Sequence, residues 1–182
     1  MSVGPFDGNE TLPDWRANGS SILNAYIDAS FADYTGLTST AYWFDGCSNI
    51  KSVSGTENLT TDNVTDMSSM FNGCANLKSI SLNGLNTGKV KSMYGMFWDC
   101  STLRSIDLSG VNTSSVTDMG GMFYYCSSLT ELDLTSFNTS HVSNMRYMFE
   151  GCSSLTGITV SETGWSTDAV TSGTAMFSGC KN

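Results

Sequence analysis

One stretch of sequence recurs along the chain: Val116-Thr117-Asp118-Met119-Gly120-Gly121-Met122-Phe123, followed by Cys126, Leu129, Leu132 and Leu134. Its core, Met-x-x-Met-Phe with a Cys three residues after the Phe, is found four times, with a weaker copy before and another after. The six cysteines that mark these copies are Cys47, Cys74, Cys100, Cys126, Cys152 and Cys180. Their spacing is 27, 26, 26, 26 and 28 residues. A fixed period of this length, with Leu-x-x-Leu-x-Leu inside it, predicts a solenoid of the leucine-rich-repeat type.

The Leu-x-x-Leu-x-Leu segments predict six short strands that join in one parallel sheet. They lie near residues 22–27, 50–55, 77–82, 103–108, 129–134 and 155–160. Alternation along a strand directs the Leu and Ile side chains inwards and the polar side chains outwards. The crossover rule for parallel strands predicts a right-handed path. We divide the chain into residues 1–40, a loop-rich flank with a degenerate capping coil, and residues 41–182, the repeat array with an incomplete last coil.

The segments between the strands predict a corner and a short helix. Asn86, Asn112 and Asn138 follow the strands, and an inward-turned Asn can satisfy unpaired backbone groups at a bend. The sequence Thr65-Asp66-Met67 is typical of an N-cap, so we expect a short helical turn on the side of the coil opposite the sheet. Met-x-x-Met would then place both thioethers on one face of that turn.

The composition excludes several classes of partner. The net charge is −9 and there is no basic stripe, which argues against nucleic acid and against anionic lipid. No apolar run approaches the length of a membrane span, and no signal pattern opens the chain, so we interpret it as a mature fragment. Equivalent cysteines on neighbouring coils are about 4.8 Å apart, which is too far for an unstrained disulfide, so we expect buried free thiols. We expect no zinc site and no cofactor.

Three carboxylates form the first candidate site. Asp107 and Asp133 occupy the same position on adjacent predicted strands, and Glu131 points to the same outer face. Like charges this close are mildly destabilising. Solvent screening with Lys78 and Arg104 nearby is one explanation, attraction of a basic partner surface is a second, and a calcium ion is a third.

Aromatic residues form the second candidate site. Trp98 and Tyr124 follow the Phe of successive repeats, at a position that is polar in the other copies, and Tyr125 lies beside them. Tyr94 and Tyr147 are on the same flank. An exposed aromatic patch indicates a contact with a protein or a carbohydrate. The alternative is that these rings only shield the turns beneath them.

No catalytic constellation is recognisable. His141 is the only histidine, and no serine or cysteine at a suitable spacing makes a triad with it, so we expect a solvated side chain and no enzyme activity.

The repeat resembles a known family. The stretch that carries the likeness runs from Met96-Phe97 through Cys100, Leu103 and Ile106-Asp107-Leu108 to Val116-Thr117-Asp118-Met119. It is similar to the BspA-like leucine-rich repeat, of the DUF285 type, found in bacterial surface proteins and lipoproteins. The resemblance implies a secreted or surface-anchored protein with no catalytic residues.

These observations leave two hypotheses for function. The first is a cell-surface recognition module, similar to an adhesin, that binds a protein or glycan on host or microbial surfaces. The second is a structural spacer that projects another domain from the cell envelope.

Overall fold

The structure is a computed structural model that describes residues 14–180. Six short strands are present, at the predicted places along the chain: β1 (Asn24–Tyr26), β2 (Ser52–Ser54), β3 (Ser79–Ser81), β4 (Ser105–Asp107), β5 (Glu131–Leu134) and β6 (Gly157–Val160). The remaining regular elements are 3-10 helices: Asp14–Ser21, Ala29–Asp33 and Thr56–Asn58. The flank that we predict to be loop-rich thus contains a 3-10 helix at Asp14–Ser21. Residues 1–13 lie outside what the structure describes.

Successive repeats pair with each other at equivalent residues. We define six repeats that each end at a cysteine: repeat 1 (22–47), repeat 2 (48–74), repeat 3 (75–100), repeat 4 (101–126), repeat 5 (127–152) and repeat 6 (153–180). Parallel pairing aligns Ile80 with Ile106 and Leu132 with Ile158. A second line of parallel bridges runs through all six repeats, along Ser39, Asp66, Ser92, Asp118, Asn144 and Ser172.

The strands form three parallel pairs, not the single continuous sheet that we expected. β1 pairs with β2, β3 with β4, and β5 with β6. β2 contacts β3 and β4 contacts β5 without a ladder of backbone hydrogen bonds between them.

The segment opposite the strands is a series of turns, so the predicted helical turn is wrong. In repeat 3 one set of N–H groups donates to carbonyl oxygens of repeat 4: Met93, Gly95, Phe97 and Asp99. The intervening set donates three residues back within the repeat: Met96, Trp98 and Cys100. Since an α-helix keeps its N–H groups inside one segment, this alternation excludes a helix and ties neighbouring repeats together. Left-handed φ angles at two positions per repeat, such as 59° at Gly95 and 54° at Asp99, close the turns.

The interior consists of rows of identical side chains. Six phenylalanine rings stack nearly parallel, with centroids 5.3 to 5.8 Å apart: Phe44, Phe71, Phe97, Phe123, Phe149 and Phe177. All six cysteines are free, and five of them are buried, as predicted. Each thiol from Cys74 to Cys180 donates to the carbonyl of a phenylalanine in the preceding repeat, for example Cys126 Sγ to Phe97 O at 3.0 Å.

At the corners the inward residue is threonine, not the asparagine that we expected. Thr113 is buried, and its Oγ1 donates to Asn138 O at 2.8 Å and accepts from Asn138 N at 2.8 Å. The Thr87 hydroxyl makes the same pair of bonds with Asn112. The asparagine points outwards and accepts from the N–H two residues ahead, as Asn112 Oδ1 does from Ser114 N at 3.0 Å. A threonine fits the interior better because its methyl group packs while its hydroxyl satisfies two backbone groups.

The alternation predicted for the strands is confirmed in repeats 3 to 5 and weakens in repeat 6. Leu82, Leu108 and Leu134 are buried, whereas the equivalent Val160 is 38% exposed and Phe177 is 54% exposed. Within the described residues, repeat 6 is covered on one side only, by repeat 5. In repeat 1, Ile22, Ala25 and Ile27 are buried.

Candidate functional site

The predicted aromatic residues come together on the outer side of the turns of repeats 3 to 5. We call this group the aromatic cluster: Tyr94, Trp98, Tyr124, Tyr125 and Tyr147. Trp98 stacks on Tyr124 with 3.9 Å between ring centroids, and Tyr124 contacts Tyr125 at 4.6 Å and Tyr147 at 6.3 Å. The side chains are half-buried except that of Tyr125, which is 48% exposed.

Tyr125 holds an unusual conformation. Its φ is 55°, in the left-handed region that bulky residues rarely adopt. The equivalent residues of the other repeats are four glycines and one aspartate: Gly46, Gly73, Asp99, Gly151 and Gly179. Tyr147 has a φ of 59° at a position where repeats 3 and 4 have glycine. Two tyrosines of the aromatic cluster therefore occupy positions where a smaller residue is the less strained choice.

The rings of the cluster lie on glycines of the next repeat. A Cβ added to Gly121 would lie 2.7 Å from the Trp98 ring, and one added to Gly120 would lie 3.1 Å from the Tyr94 ring. A Cβ on Gly151 would lie 2.9, 2.9 and 3.0 Å from three consecutive atoms of the Tyr125 ring. Nearly equal distances to three consecutive ring atoms require the glycine to lie under the face of the ring. The glycines thus make room for rings that lie flat along the turns.

Polar and charged groups border the cluster. The Arg146 guanidinium lies 5.8 Å from the centroid of the Tyr94 ring, at cation–π distance. Asp99 and Glu150 stand at the positions of Tyr125 and Tyr124 in the neighbouring repeats, and backbone bonds fix this alignment: Asp99 N to Tyr124 O and Tyr125 N to Glu150 O, both 2.7 Å. Partial burial raises the pKa of Tyr124, and the charge of Glu150 raises it further.

The three predicted carboxylates are exposed on strands β4 and β5, and each accepts hydrogen bonds from the repeats themselves. Asp107 accepts from Ser109 N, Ser109 Oγ and Ser81 Oγ at 2.7 to 3.1 Å, and these bonds lower its pKa. Asp133 accepts from Thr135 N at 2.9 Å, and bonds from Thr135 lower its pKa. Glu131 accepts from Thr156 Oγ1 at 2.9 Å. Hydrogen bonds from the same or a neighbouring repeat are thus the interactions observed at these carboxylates.

The remaining candidates from the sequence are a metal site and His141. Within residues 14–180, no group of three His, Cys, Asp or Glu side chains is arranged to hold a metal ion. His141 is exposed, as predicted, and its Nδ1 lies 3.1 Å from Ser140 Oγ.

Several residues at the cluster were not singled out from the sequence. These are Arg146, Asp99, Glu150 and the glycines under the rings. Gly120 and Gly121 are the part of the sequence that could have pointed to this arrangement. These adjacent glycines lie in the repeat that follows Tyr94 and Trp98. Their significance depends on rings reaching across to the next repeat, which spacing along the chain does not reveal.

The sequence and the structure were compared with known protein families and solved structures. Residues 38–162 match the family described as Mycoplasma protein of unknown function, DUF285. No curated protein matches the chain. Among solved structures, it is similar to a leucine rich cell surface protein from Faecalibacterium prausnitzii A2-165, with 22% sequence identity and a TM-score of 0.45. That similarity covers 87% of this chain and 35% of the other, so the chain spans about a third of that protein's length.

The pairing of equivalent residues defines a repeat protein built from units of 26 to 28 residues. The family match covers more than half of the sequence, and the chain belongs to the DUF285 family of BspA-like repeat proteins. The part of the chain that the structure describes contains no helix that is long and apolar enough to cross a membrane.

Proposed function

We propose that this chain is a non-catalytic recognition module of a cell-surface protein, adhesin-like in role, and that the aromatic cluster contacts a protein or glycan on a host or microbial surface. The observation that carries the proposal is Tyr125. It is the most exposed ring of the cluster and holds a left-handed φ where four other repeats have glycine. A non-glycine residue in this region costs about 1 to 3 kcal/mol, and such strain is concentrated at functional sites.

The rigid stack supports this role. The cluster spans three repeats whose backbones are hydrogen-bonded to each other along the turns. The glycines beneath Trp98 and Tyr125 fix the direction in which these rings lie. A surface that is ordered before binding loses little conformational entropy on binding, which favours affinity. Trp and Tyr are also the residues most enriched among those that dominate binding energy at interfaces.

That the three carboxylates contact a basic partner surface remains a prediction. Asp107, Glu131 and Asp133 are exposed, but each already accepts hydrogen bonds from its own or a neighbouring repeat. We therefore assign the principal contact to the aromatic cluster and not to these three residues.

We further propose that the repeats form a right-handed solenoid and that the chain acts outside the cell. The register of the strand pairs and bridges, which advances by one repeat at a time, supports the solenoid. Handedness follows the rule for parallel crossovers. The extracellular location follows from the family, because the BspA-like repeat is typical of bacterial surface proteins.

The test is a binding screen of the whole chain against arrays of extracellular-matrix proteins and glycans, run in parallel with two variants. Tyr125→Gly removes the exposed ring and relieves its backbone, so the fold should be retained while binding is lost. Tyr42→Gly is the matched control, because Tyr42 is also exposed, at 43%, and also has a positive φ, 61°, but lies in repeat 1. We expect Tyr42→Gly to bind as the unmodified chain does.

The second candidate function is a spacer that projects another domain. The uniform rows of Phe and Cys side chains in the interior favour it, because a spacer needs only repeats that stack regularly on one another. If no array component binds, or if both variants bind as strongly as the unmodified chain, the recognition proposal fails and the spacer is the better account.

A further inference from the structure

We infer that the aromatic cluster takes a neutral sugar ring, which stacks on the outer face of Tyr125 and donates hydroxyl hydrogen bonds to Asp99 and Glu150. This inference rests on the proposed recognition function and names its ligand class. It follows from the orientation of one ring and from the groups that the repeat places around it.

The outer face of Tyr125 is open. Its inner face lies on Gly151, as the three nearly equal distances require, and its neighbour Tyr124 meets it at an angle of 49° rather than in parallel. A flat aromatic ring held against the backbone, with about half of its surface exposed, is a stacking platform. The face of an aromatic ring carries negative electrostatic potential, so it attracts the weakly positive C–H hydrogens on one side of a pyranose.

The repeat places hydrogen-bond acceptors next to that platform. One outer row of the turns runs through Asn72, Trp98, Tyr124 and Glu150, and the adjacent row runs through Gly73, Asp99, Tyr125 and Gly151. Neighbouring repeats are about 4.8 Å apart, so the backbone of Asp99 is one repeat before that of Tyr125. Glu150 directly precedes Gly151, on which the Tyr125 ring lies. Asp99 is exposed and Glu150 is half-buried. An ionised carboxylate only accepts hydrogen bonds, which suits the hydroxyl groups at the rim of a sugar.

The charge of the site selects among glycans. Asp99 and Glu150 belong to the two rows that pass through the cluster, and the chain as a whole has a net charge of −9. This field disfavours uronic acids, sialic acids and sulfated sugars, and it disfavours nucleic acid for the same reason. The Arg146 guanidinium lies 5.8 Å from the centroid of the Tyr94 ring, so its contact is with Tyr94 and not with Tyr125. The neutral hexoses and N-acetylhexosamines are therefore the class that fits.

The same field argues against a protein as the ligand of Tyr125. A protein surface that matched it would have to be basic, and its cations would meet the carboxylates rather than the ring. An apolar protein surface would leave Asp99 and Glu150 without hydrogen-bond donors, which costs affinity. A sugar supplies an apolar face and hydroxyl donors together, and this combination matches the two rows.

The experiment is isothermal titration of the whole chain with neutral oligosaccharides of glucose, mannose, galactose and N-acetylglucosamine, and separately with hyaluronan and heparin oligosaccharides. We expect at least one neutral series to bind and both acidic series to fail. Tyr125→Gly should weaken that binding by about tenfold or more, as truncation of a central contact does. Asp99→Asn should weaken it by about threefold, because the amide keeps the left-handed turn and only part of the acceptor capacity. Tyr42→Gly should change nothing.

Urea unfolding of each variant separates loss of binding from loss of fold, and Tyr125→Asn serves as a second variant if Tyr125→Gly does not fold. If acidic oligosaccharides bind and neutral ones do not, the inference is overturned. If only a matrix protein binds in a Tyr125-dependent manner, the inference is overturned while the proposed recognition function stands. If no ligand of any class binds in a Tyr125-dependent manner, both fail.

Discussion

Two rows of side chains run next to each other along the turns, and they differ in how much the residue type varies from repeat to repeat. The inner row contains phenylalanine in all six repeats, and its rings stack at 5.3 to 5.8 Å. The outer row, one residue further along the chain, changes at every step: Asp45, Asn72, Trp98, Tyr124, Glu150 and Ser178. The inner row therefore holds the repeats in register, and the outer row is free to carry recognition.

The largest effect is expected at alkaline pH and concerns inner positions only. Burial raises the pKa of the Cys74, Cys100 and Cys126 thiols well above 9.0 and that of Cys152 to about 12. In the unfolded chain these thiols ionise near pH 9, whereas in the folded chain they stay protonated. The folded state then binds more protons, so the free energy of unfolding falls as pH rises above 9. We expect a loss of about 1.3 kcal/mol per thiol, or about 5 kcal/mol for the four, between pH 8 and pH 10.

Urea unfolding at a series of pH values measures this loss, and Cys126→Ala provides the control. That variant should lose about a quarter of the thiol-dependent slope. If the slope is the same with and without Cys126, this thiol is not protected from ionisation in the folded chain.

The second effect compares neighbours in the chain, Phe97 and Trp98. Phe97 is fully buried between two other rings, so Phe97→Ala should cost about 3 to 5 kcal/mol of stability. Trp98 is half-buried on the outer row, so Trp98→Ala should cost about 1 to 2 kcal/mol. Denaturant unfolding measures both values. Equal losses for the two variants would show that the outer row is as much a part of the scaffold as the inner one.

The third and smallest effect concerns the corner, where Thr113 is inside and Asn112 outside. Thr113→Val keeps the shape of the side chain but leaves the N–H and the carbonyl of Asn138 without their partner, which should cost about 1 to 3 kcal/mol. Asn112→Ala removes one exposed turn hydrogen bond and should cost about 0.5 to 1 kcal/mol. A larger loss for Asn112→Ala than for Thr113→Val would contradict the assignment of threonine as the inward residue.

Much of the scaffold could be predicted from the sequence because one period governs it. The spacing of the cysteines gives the repeat, and alternation within Leu-x-x-Leu-x-Leu gives the strand positions and the buried side chains. The stacking of equivalent Phe and Cys residues follows from the period alone. The aromatic cluster was predicted because Trp98 and Tyr124 depart from the repeat at positions that are otherwise polar.

The errors arose where two conformations share one spacing. Asn and Thr occur side by side in repeats 3 to 5, so these repeats do not reveal which of them is inside. Repeats 2 and 6, with Thr60-Thr61 and Ser166-Thr167, keep the threonine and lack the asparagine, and this is the signal for the inward residue. Met93 and Met96 are three residues apart in a helical turn and also in a series of tight turns. The deciding information is the alternation of hydrogen bonds between repeats, together with left-handed positions such as Gly95. Neither can be read from one side-chain pattern.

The central claim is that equivalent side chains of successive repeats lie in one buried row, and thiol labelling tests it most directly. The native 182-residue chain is treated with iodoacetamide at pH 8, and the modified cysteines are located by mass spectrometry. The account predicts that Cys180, which is only partly buried, reacts first, that the five buried thiols are protected, and that all six react in urea. Rapid labelling of several inner cysteines in the native chain, or disulfides between them before any treatment, would contradict the account.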